Sequence, residues 1–94
     1  MDPDMTIADT IRAKLTDALA PTRLEVIDES HRHAGHAGHD PRGESHFRVV
    51  VVSSAFEGHG RVERHRMVNR LLAEELAGRV HALALRTLTP EEAA

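Results

Sequence analysis

The sequence contains no cysteine, tryptophan or tyrosine, and its only Phe residues are Phe47 and Phe56. Without cysteine the chain can form no disulfide, no thiolate metal site and no thiol nucleophile, so any soft-metal chemistry requires sulfur from a partner. With two phenylalanines the core must be aliphatic. The aromatic platforms on which single-stranded bases stack are also poorly supplied.

Long hydrophobic runs are missing as well. No apolar run exceeds the four residues 49–52, far too few to cross a bilayer, and the acidic start MDPDMTIADT lacks the apolar segment of a secretory signal. We therefore expect a cytoplasmic protein with no membrane partner.

Ninety-four residues with 40% apolar content predict one small globular domain. The net charge of −3 argues against gross attraction to nucleic acid.

Apolar residues recur with helical spacing in two segments, which predict helices over 6–19 and 62–77. Their apolar stripes are Ile7, Ile11, Leu15 and Leu19 in the first, and Val62, Val68, Leu72 and Leu76 in the second. Thr6 and Asp9 resemble a capping box at the start of the first helix, and Pro21 ends it. Gly78 stands where a left-handed C-terminal cap of the second helix is expected.

Alternating apolar residues predict strands over 22–28, 46–53 and 80–86. A short helix is expected near 55–57, and Thr89, Pro90 and Glu92 carry the signals of a last helical turn. The order αββ(α)αβ(α) predicts a single α+β domain over 1–94, a small sandwich with a three-stranded sheet covered by helices on one face. Residues 31–44 are rich in glycine and histidine and predict a flexible loop.

Histidines in this loop follow the pattern H-x-H-x2-H-x2-H, at His31, His33, His36 and His39. Neutral imidazoles at such spacing can converge on a transition metal, which makes a Zn or Ni carrier one hypothesis, while a solvated loop without a specific role is the alternative. His65, on the apolar side of the second helix, is interpreted as a packed histidine with a satisfied hydrogen bond.

Four arginines lie within ten residues, at Arg61, Arg64, Arg66 and Arg70. They are candidate phosphate contacts if they share an exposed face, whereas Arg70 and Glu74 are also spaced for an ion pair on the helix surface. The sequence has no nucleophile elbow and no phosphate-binding loop, and no paired carboxylates are placed for acid–base work. We therefore expect an adaptor or carrier rather than an enzyme.

Four stretches in order resemble the BolA family: VIDESHRHAGH, SHFRVVVVSSAFEG, VERHRMVNRLLAEEL and VHALALRTLTPEE. With the segments between them, the resemblance covers nearly the whole chain from residue 11 onward. It implies a fold similar to a class II KH domain, in agreement with the predicted element order. The GxxG turn with which KH domains clamp nucleic acid is absent, because Gly58-His59-Gly60 is followed by Arg61.

The resemblance also implies a partner and a cofactor. BolA proteins of this type pair with a monothiol glutaredoxin and share a 2Fe-2S cluster with a glutaredoxin cysteine and a glutathione. Carried onto this sequence, the ligands are His81 in VHAL and His33 after the DES segment, with His31, His36 and His39 as substitutes. The alternative implied by the family is a DNA-binding transcriptional regulator that uses the basic helix 61–77. A second copy of the chain is a further candidate partner.

Overall fold

The structure is a computed structural model of the chain, and it describes residues 6–29 and 45–94. Its elements are α1 (Ile7–Leu19), β1 (Arg23–Asp28), β2 (His46–Val52), a 3-10 turn (Ser54–Phe56), α2 (Arg61–Leu71), α3 (Ala73–Ala77), β3 (Ala82–Leu88) and α4 (Pro90–Ala93). The loop predicted over 31–44 lies outside the described residues.

The three strands form one mixed sheet in the order β1-β2-β3. β1 and β2 are antiparallel, with Val26 opposite Val49, and β2 and β3 are parallel, with Val49 opposite Leu85. Parallel neighbours need a crossover connection, and α2 and α3 provide it between β2 and β3. The predicted α+β domain with a three-stranded sheet is confirmed.

A single apolar core joins one face of the sheet to the helices. Its buried members are Ile11, Leu15, Leu19, Val26, Phe47, Val49, Val51, Phe56, Val68, Leu72 and Val80. Alternate strand residues enter this core because successive side chains of a strand point to opposite faces. The core is aliphatic apart from its two phenylalanines, as expected. Within residues 6–29 and 45–94, no helix is long and apolar enough to span a bilayer.

The start of α1 follows its predicted capping chemistry. The Asp9 amide donates to Thr6 Oγ1 at 3.0 Å, and the Thr6 amide donates to Asp9 Oδ2 at 3.2 Å. This second hydrogen bond, from the backbone of Thr6, lowers the pKa of Asp9. The helix ends at Ala20, which adopts the left-handed conformation at φ 45°, ψ 55° directly before Pro21.

The predicted second helix is divided in two, because Leu72 at φ −104°, ψ 20° separates α2 from α3. Placing Val62 on its apolar stripe was wrong, since that side chain is 65% exposed. Six residues separate it from Val68, a rotation of about 600°, which leaves it roughly 120° away from the buried face. The left-handed cap expected at Gly78 was also wrong, because its φ is −104°.

The third strand begins at Ala82 and ends at Leu88, two residues later than predicted. Val80 is held by the preceding helix, because its amide donates to Glu75 O at 3.1 Å. At the other end, the Ser53 amide donates to Leu88 O at 2.9 Å and extends the parallel ladder. A pattern of alternating side chains does not show where the ladder begins.

Two threonines beside each other in the fold differ in hydrogen bonding. Thr87 and Thr89 are each 7% exposed. The Thr87 hydroxyl has no hydrogen-bond partner among the described residues, whereas Thr89 Oγ1 accepts the Glu92 amide at 3.2 Å and caps α4. A buried polar group without a partner costs stability, and a cap contributes to it.

We therefore expect opposite effects from the same substitution. Thr87→Val keeps the shape and removes the unpaired hydroxyl, and should raise the free energy of unfolding by about 1 kcal/mol. Thr89→Val removes the cap of α4 and should lower it by about 1 kcal/mol. Urea denaturation of both variants against the parent chain measures the difference. A loss of stability in Thr87→Val as large as that in Thr89→Val would contradict this account.

Candidate metal centre

Two histidines meet where β2 and β3 begin. His46 is the first residue of β2, and in the parallel register it lies opposite Ala82, the first residue of β3. His81 immediately precedes that residue. Because the strands are parallel, their amino ends lie at the same end of the sheet. The two imidazoles are therefore neighbours, although 35 residues separate them in the chain.

The spacing of the two rings suits a shared metal ion. Their centres are 6.3 Å apart and their planes are inclined by 43°. With metal–nitrogen bonds of about 2 Å and each ring centre roughly 1 Å beyond its nitrogen, two imidazoles on one ion have centres about 5–6 Å apart. The rings of His46 and His81 are therefore near, and slightly beyond, the spacing of two imidazoles on one ion. Imidazole nitrogen is a ligand for zinc, copper, nickel and iron.

The backbone holds both histidines in place. The His81 amide donates to Ser45 O at 2.7 Å, and the Ala82 amide donates to the same oxygen at 3.3 Å. Phe47 and Val80, the neighbours of the two histidines on the core side, are buried. The site therefore has rigid attachment points, while the His81 side chain itself is exposed and within reach of a second protein.

Ser45 also contacts the ring of His46, with Ser45 Oγ 2.8 Å from His46 Nδ1. In the tautomer whose Nδ1–H donates to the serine oxygen, Nε2 carries the free lone pair that binds a metal. Such a contact to the second ring nitrogen fixes the orientation of a ligating histidine. His46 is half-buried, which restricts its motion further.

Only one of the predicted metal ligands lies among the described residues. His81 is described, but His33 and its substitutes His31, His36 and His39 lie outside residues 6–29 and 45–94. Their role stays a prediction. No group of three or more His, Cys, Asp or Glu side chains placed to hold a metal occurs within those two ranges. A complete coordination sphere therefore needs ligands beyond this pair of imidazoles.

Sequence reasoning missed His46. It was treated only as the first residue of a predicted strand, since nothing in a linear sequence shows which strands are parallel neighbours. The available signal was indirect: His46 and His81 each stand at the start of a predicted strand. Parallel pairing of those strands would have placed them together.

The four arginines predicted as phosphate contacts differ in exposure and in ion pairing. Arg64 is 12% exposed at its side chain; it donates to Glu92 Oε1 at 2.6 Å, to His59 O at 2.7 Å and to Thr87 O at 3.3 Å. Arg61 and Arg66 are exposed and make no ion pair in the described part of the chain. The four arginines therefore do not form one free basic face.

Two smaller expectations on this helix were wrong. Arg70 pairs with Glu63 at 3.5 Å rather than with Glu74, whose carboxylate lies 3.9 Å from Lys14. His65 is half-exposed rather than packed, and it has no hydrogen-bond partner among residues 6–29 and 45–94. It lies three residues, or about 60° around the helix, from the buried Val68.

Arg64 lowers the pKa of Glu92 through its hydrogen bond, and the Thr89 amide adds to the effect. Arg64→Gln should therefore raise the pKa of Glu92 toward its ordinary value and lower the melting temperature by several degrees. Because the folded pKa is depressed, this interaction stabilises above the ordinary glutamate pKa and is lost as pH falls through the lowered value. The variant should lose that part of the pH dependence.

NMR titration of Glu92 and thermal unfolding between pH 3 and 7 measure both effects. Arg66→Gln is the matched control, since it removes the same charge from an exposed position on the same helix. If the two variants lose equal stability, the interpretation of Arg64 as a structural arginine is wrong.

Comparison with known proteins identifies the family to which this chain and its fold belong. The sequence profile described as "BolA-like protein" matches residues 15–92. The chain is 55% identical over 82 residues to "BolA-like protein 1" of Mus musculus, covering 87% of this chain and 57% of the mouse protein. It is 51% identical over 88 residues to "DNA-binding transcriptional regulator BolA" of Escherichia coli, covering 94% of this chain and 80% of that one.

A solved structure agrees with the sequence comparisons. The BolA domain of SufE1 from Arabidopsis thaliana superposes with a TM-score of 0.85 at 44% identity, covering 94% of this chain and 96% of that one. The fold defines a small α+β domain with a three-stranded mixed sheet, and the chain belongs to the BolA family.

Proposed function

We propose that this BolA-family domain is an adaptor that pairs with a monothiol glutaredoxin and holds, or passes on, a 2Fe-2S cluster shared between them. His81 supplies one imidazole ligand from this chain. His33, the counterpart implied by the family resemblance, or His46, its neighbour across the sheet, supplies the second. A glutaredoxin cysteine and the thiol of glutathione supply the sulfur ligands on the other side.

The observation that carries this proposal is the pair of imidazoles 6.3 Å apart at the start of β2 and β3. Two neutral imidazoles can replace two thiolates on one iron of a 2Fe-2S cluster, as in Rieske centres, where they raise the reduction potential. The chain has no cysteine, so it can contribute only the imidazole half of such a set. A shared site then explains why the described residues carry only part of a coordination sphere.

The exposed side chain and fixed backbone of His81 suit a site that two proteins share. The His81 side chain is exposed while its amide is tied to Ser45, so the ligand is accessible and its position is fixed. A fixed ligand loses little conformational freedom when a partner arrives. The cluster itself is the cargo, and the residues of this chain hold it and orient it toward the partner.

The test is to mix the protein with a monothiol glutaredoxin that carries a 2Fe-2S cluster and glutathione, and to record visible absorption and circular dichroism. His81→Ala should abolish the spectrum of the mixed complex, because no other histidine is fixed at that position. His33→Ala should weaken it in part, since the other loop histidines offer nearby imidazoles. His46→Ala should shorten the cluster lifetime if His46 is the second ligand.

His59→Ala is the matched control, because His59 is exposed and its described contacts are made by its backbone. It should leave spectrum and lifetime unchanged. If His81→Ala also leaves them unchanged while substitutions at His31, His33, His36 and His39 destroy them, the shared-cluster model fails. The histidine-rich segment acting alone as a Zn or Ni carrier would then be the better account.

DNA binding is a second candidate function. The E. coli relative bears the name of a DNA-binding transcriptional regulator, and Arg61 and Arg66 are exposed cations without ion pairs in the described part of this chain. Arg64 and Arg70 are engaged with Glu92 and Glu63, so they contribute less than the sequence suggests.

If this chain binds duplex DNA, affinity should fall steeply with salt, since each phosphate contact releases counterions. Arg61→Gln and Arg66→Gln should each weaken binding. Each should also reduce the slope of log affinity against log salt concentration by about one. Arg23→Gln, on the opposite edge strand, serves as the control. Fluorescence anisotropy at several salt concentrations measures this. Weak binding that is indifferent to DNA sequence and absent at physiological salt would reject the regulator hypothesis.

A further inference from the structure

Within the described residues 6–29 and 45–94, no strand lies beside the outer edge of β3. β3 is the last strand in the order β1-β2-β3 and pairs only with β2. The ladder fixes its orientation, since Leu88 O accepts the Ser53 amide and the Ala82 amide donates to Ser45 O. Backbone groups of successive strand residues point to alternate sides. Residues 82, 84, 86 and 88 therefore bond β2, and residues 83, 85 and 87 face outward.

Most of the outward-facing amides and carbonyls of β3 have no hydrogen-bond partner among the described residues. Arg64 Nη1 donates to Thr87 O at 3.3 Å. The amides and carbonyls of Leu83 and Leu85, and the amide of Thr87, have no hydrogen-bond partner in residues 6–29 and 45–94. Proline, bulges and charged side chains are the usual protection of an edge strand. The sequence ALALRTL of β3 has no proline and one charged residue, Arg86, and its register with β2 is continuous.

A cationic cleft runs along the second half of this edge. It has a volume of about 390 Å³ and is lined by Arg61 and His65 of α2 and by residues 85–88 of β3. Arg61 and Arg86 are exposed and form no ion pair in the part of the chain that the structure describes. The lining holds two arginines and one histidine but no acid. A chain lying here would have a positive charge on each side.

We propose that the free edge of β3 binds an extended acidic peptide segment of a partner protein, which adds to the sheet as a fourth strand. The alternating amides and carbonyls at residues 83–87 match a peptide backbone, and main-chain bonds of this kind give affinity in strand addition. Carboxylates on both faces of the segment meet Arg61 and Arg86.

The charges and the backbone favour this occupant over two others. A second copy adding through its own β3 would bring Arg61 and Arg86 of both copies together, and like charges facing each other destabilise a pair of strands. A single-stranded nucleic acid offers phosphate acceptors to an edge on which two of the five free backbone groups are also acceptors. The cleft lining has no Phe, Tyr or Trp to stack a base.

The edge site is separate from the cluster site. The histidine pair lies at the beginning of β3, whereas the cleft is lined by residues 85–88 at the far end of the ladder. Failure of one site therefore leaves the other intact. A partner that docks on this edge would be bound whether or not a cluster is present.

The test uses a blocked eight-residue acidic peptide, VEEVEEVE, followed by amide NMR of the full chain. Shifts and new protection from hydrogen exchange should concentrate at Leu83, Leu85 and Thr87. Arg61→Gln and Arg86→Gln should each weaken binding by about two- to five-fold. Arg66→Gln removes one charge from the same helix outside the cleft and should leave the affinity unchanged.

Two further peptides separate strand addition from simple charge attraction. The same peptide with every backbone amide N-methylated keeps its charges but cannot donate to a ladder from either edge, and should bind at least ten-fold more weakly. VKKVKKVK should not bind. Equal binding of the methylated peptide, or shifts confined to residues outside both β3 and the cleft lining, overturns the proposal.

The other occupants would be recognised in the same spectra. An eight-nucleotide oligothymidylate that shifts the β3 amides more tightly than the acidic peptide would make the cleft a nucleic-acid site and overturn the peptide proposal. Concentration-dependent shifts of these amides without any peptide would show pairing between two copies, and would also overturn it.

Discussion

The parallel pairing of β2 with β3 is the contact on which the rest of the structure depends. It joins segments that lie more than 30 residues apart, and it forces the intervening chain into a crossover made by α2 and α3. That crossover lays Val68 and Leu72 on the same face of the sheet as α1 and closes the core. It also decides which residues meet at the two ends of β3.

Polar contacts hold both ends of the crossover in place. Arg64 connects the start of α2 to β3 and α4 through Thr87 O and Glu92, and its guanidinium lies 5.9 Å from the ring centre of Phe56. On the other side, Lys14 of α1 and Glu75 of α3 pair at 2.9 Å, and this hydrogen bond raises the pKa of Lys14. A domain of this size has a small core, so such contacts matter more to its stability than in a larger protein.

The two proposed surfaces follow from the position of β3 as an edge strand with parallel pairing. Its amino end presents His81 beside His46, where a partner can complete a coordination sphere. Its outer edge presents unpaired backbone groups beside Arg61 and Arg86. Under the two proposals, one strand of a small domain offers a metal-binding end and a peptide-binding side.

The sequence by itself determined the elements whose signals are local. The capping boxes at Thr6 and Thr89, the buried stripe of α1 and the alternation of β2 all rest on spacing within a few residues, and each is present in the structure. His81 was singled out through the family resemblance, which also agreed with the element order. The far end of β3 was displaced because the amide of Ser53, distant in sequence, extends the ladder to Leu88, and its start was displaced because Val80 still bonds Glu75 O at the helix terminus.

Only the tertiary structure decided what the side chains do together. The proximity of His46 and His81 depends on parallel strand order, which no periodicity encodes. Arg64 and Arg66 look alike in the sequence, yet one is enclosed by Glu92, Thr87 and His59 while the other is exposed. Charge and spacing along the chain are local properties, whereas burial and pairing depend on which distant segments pack against them.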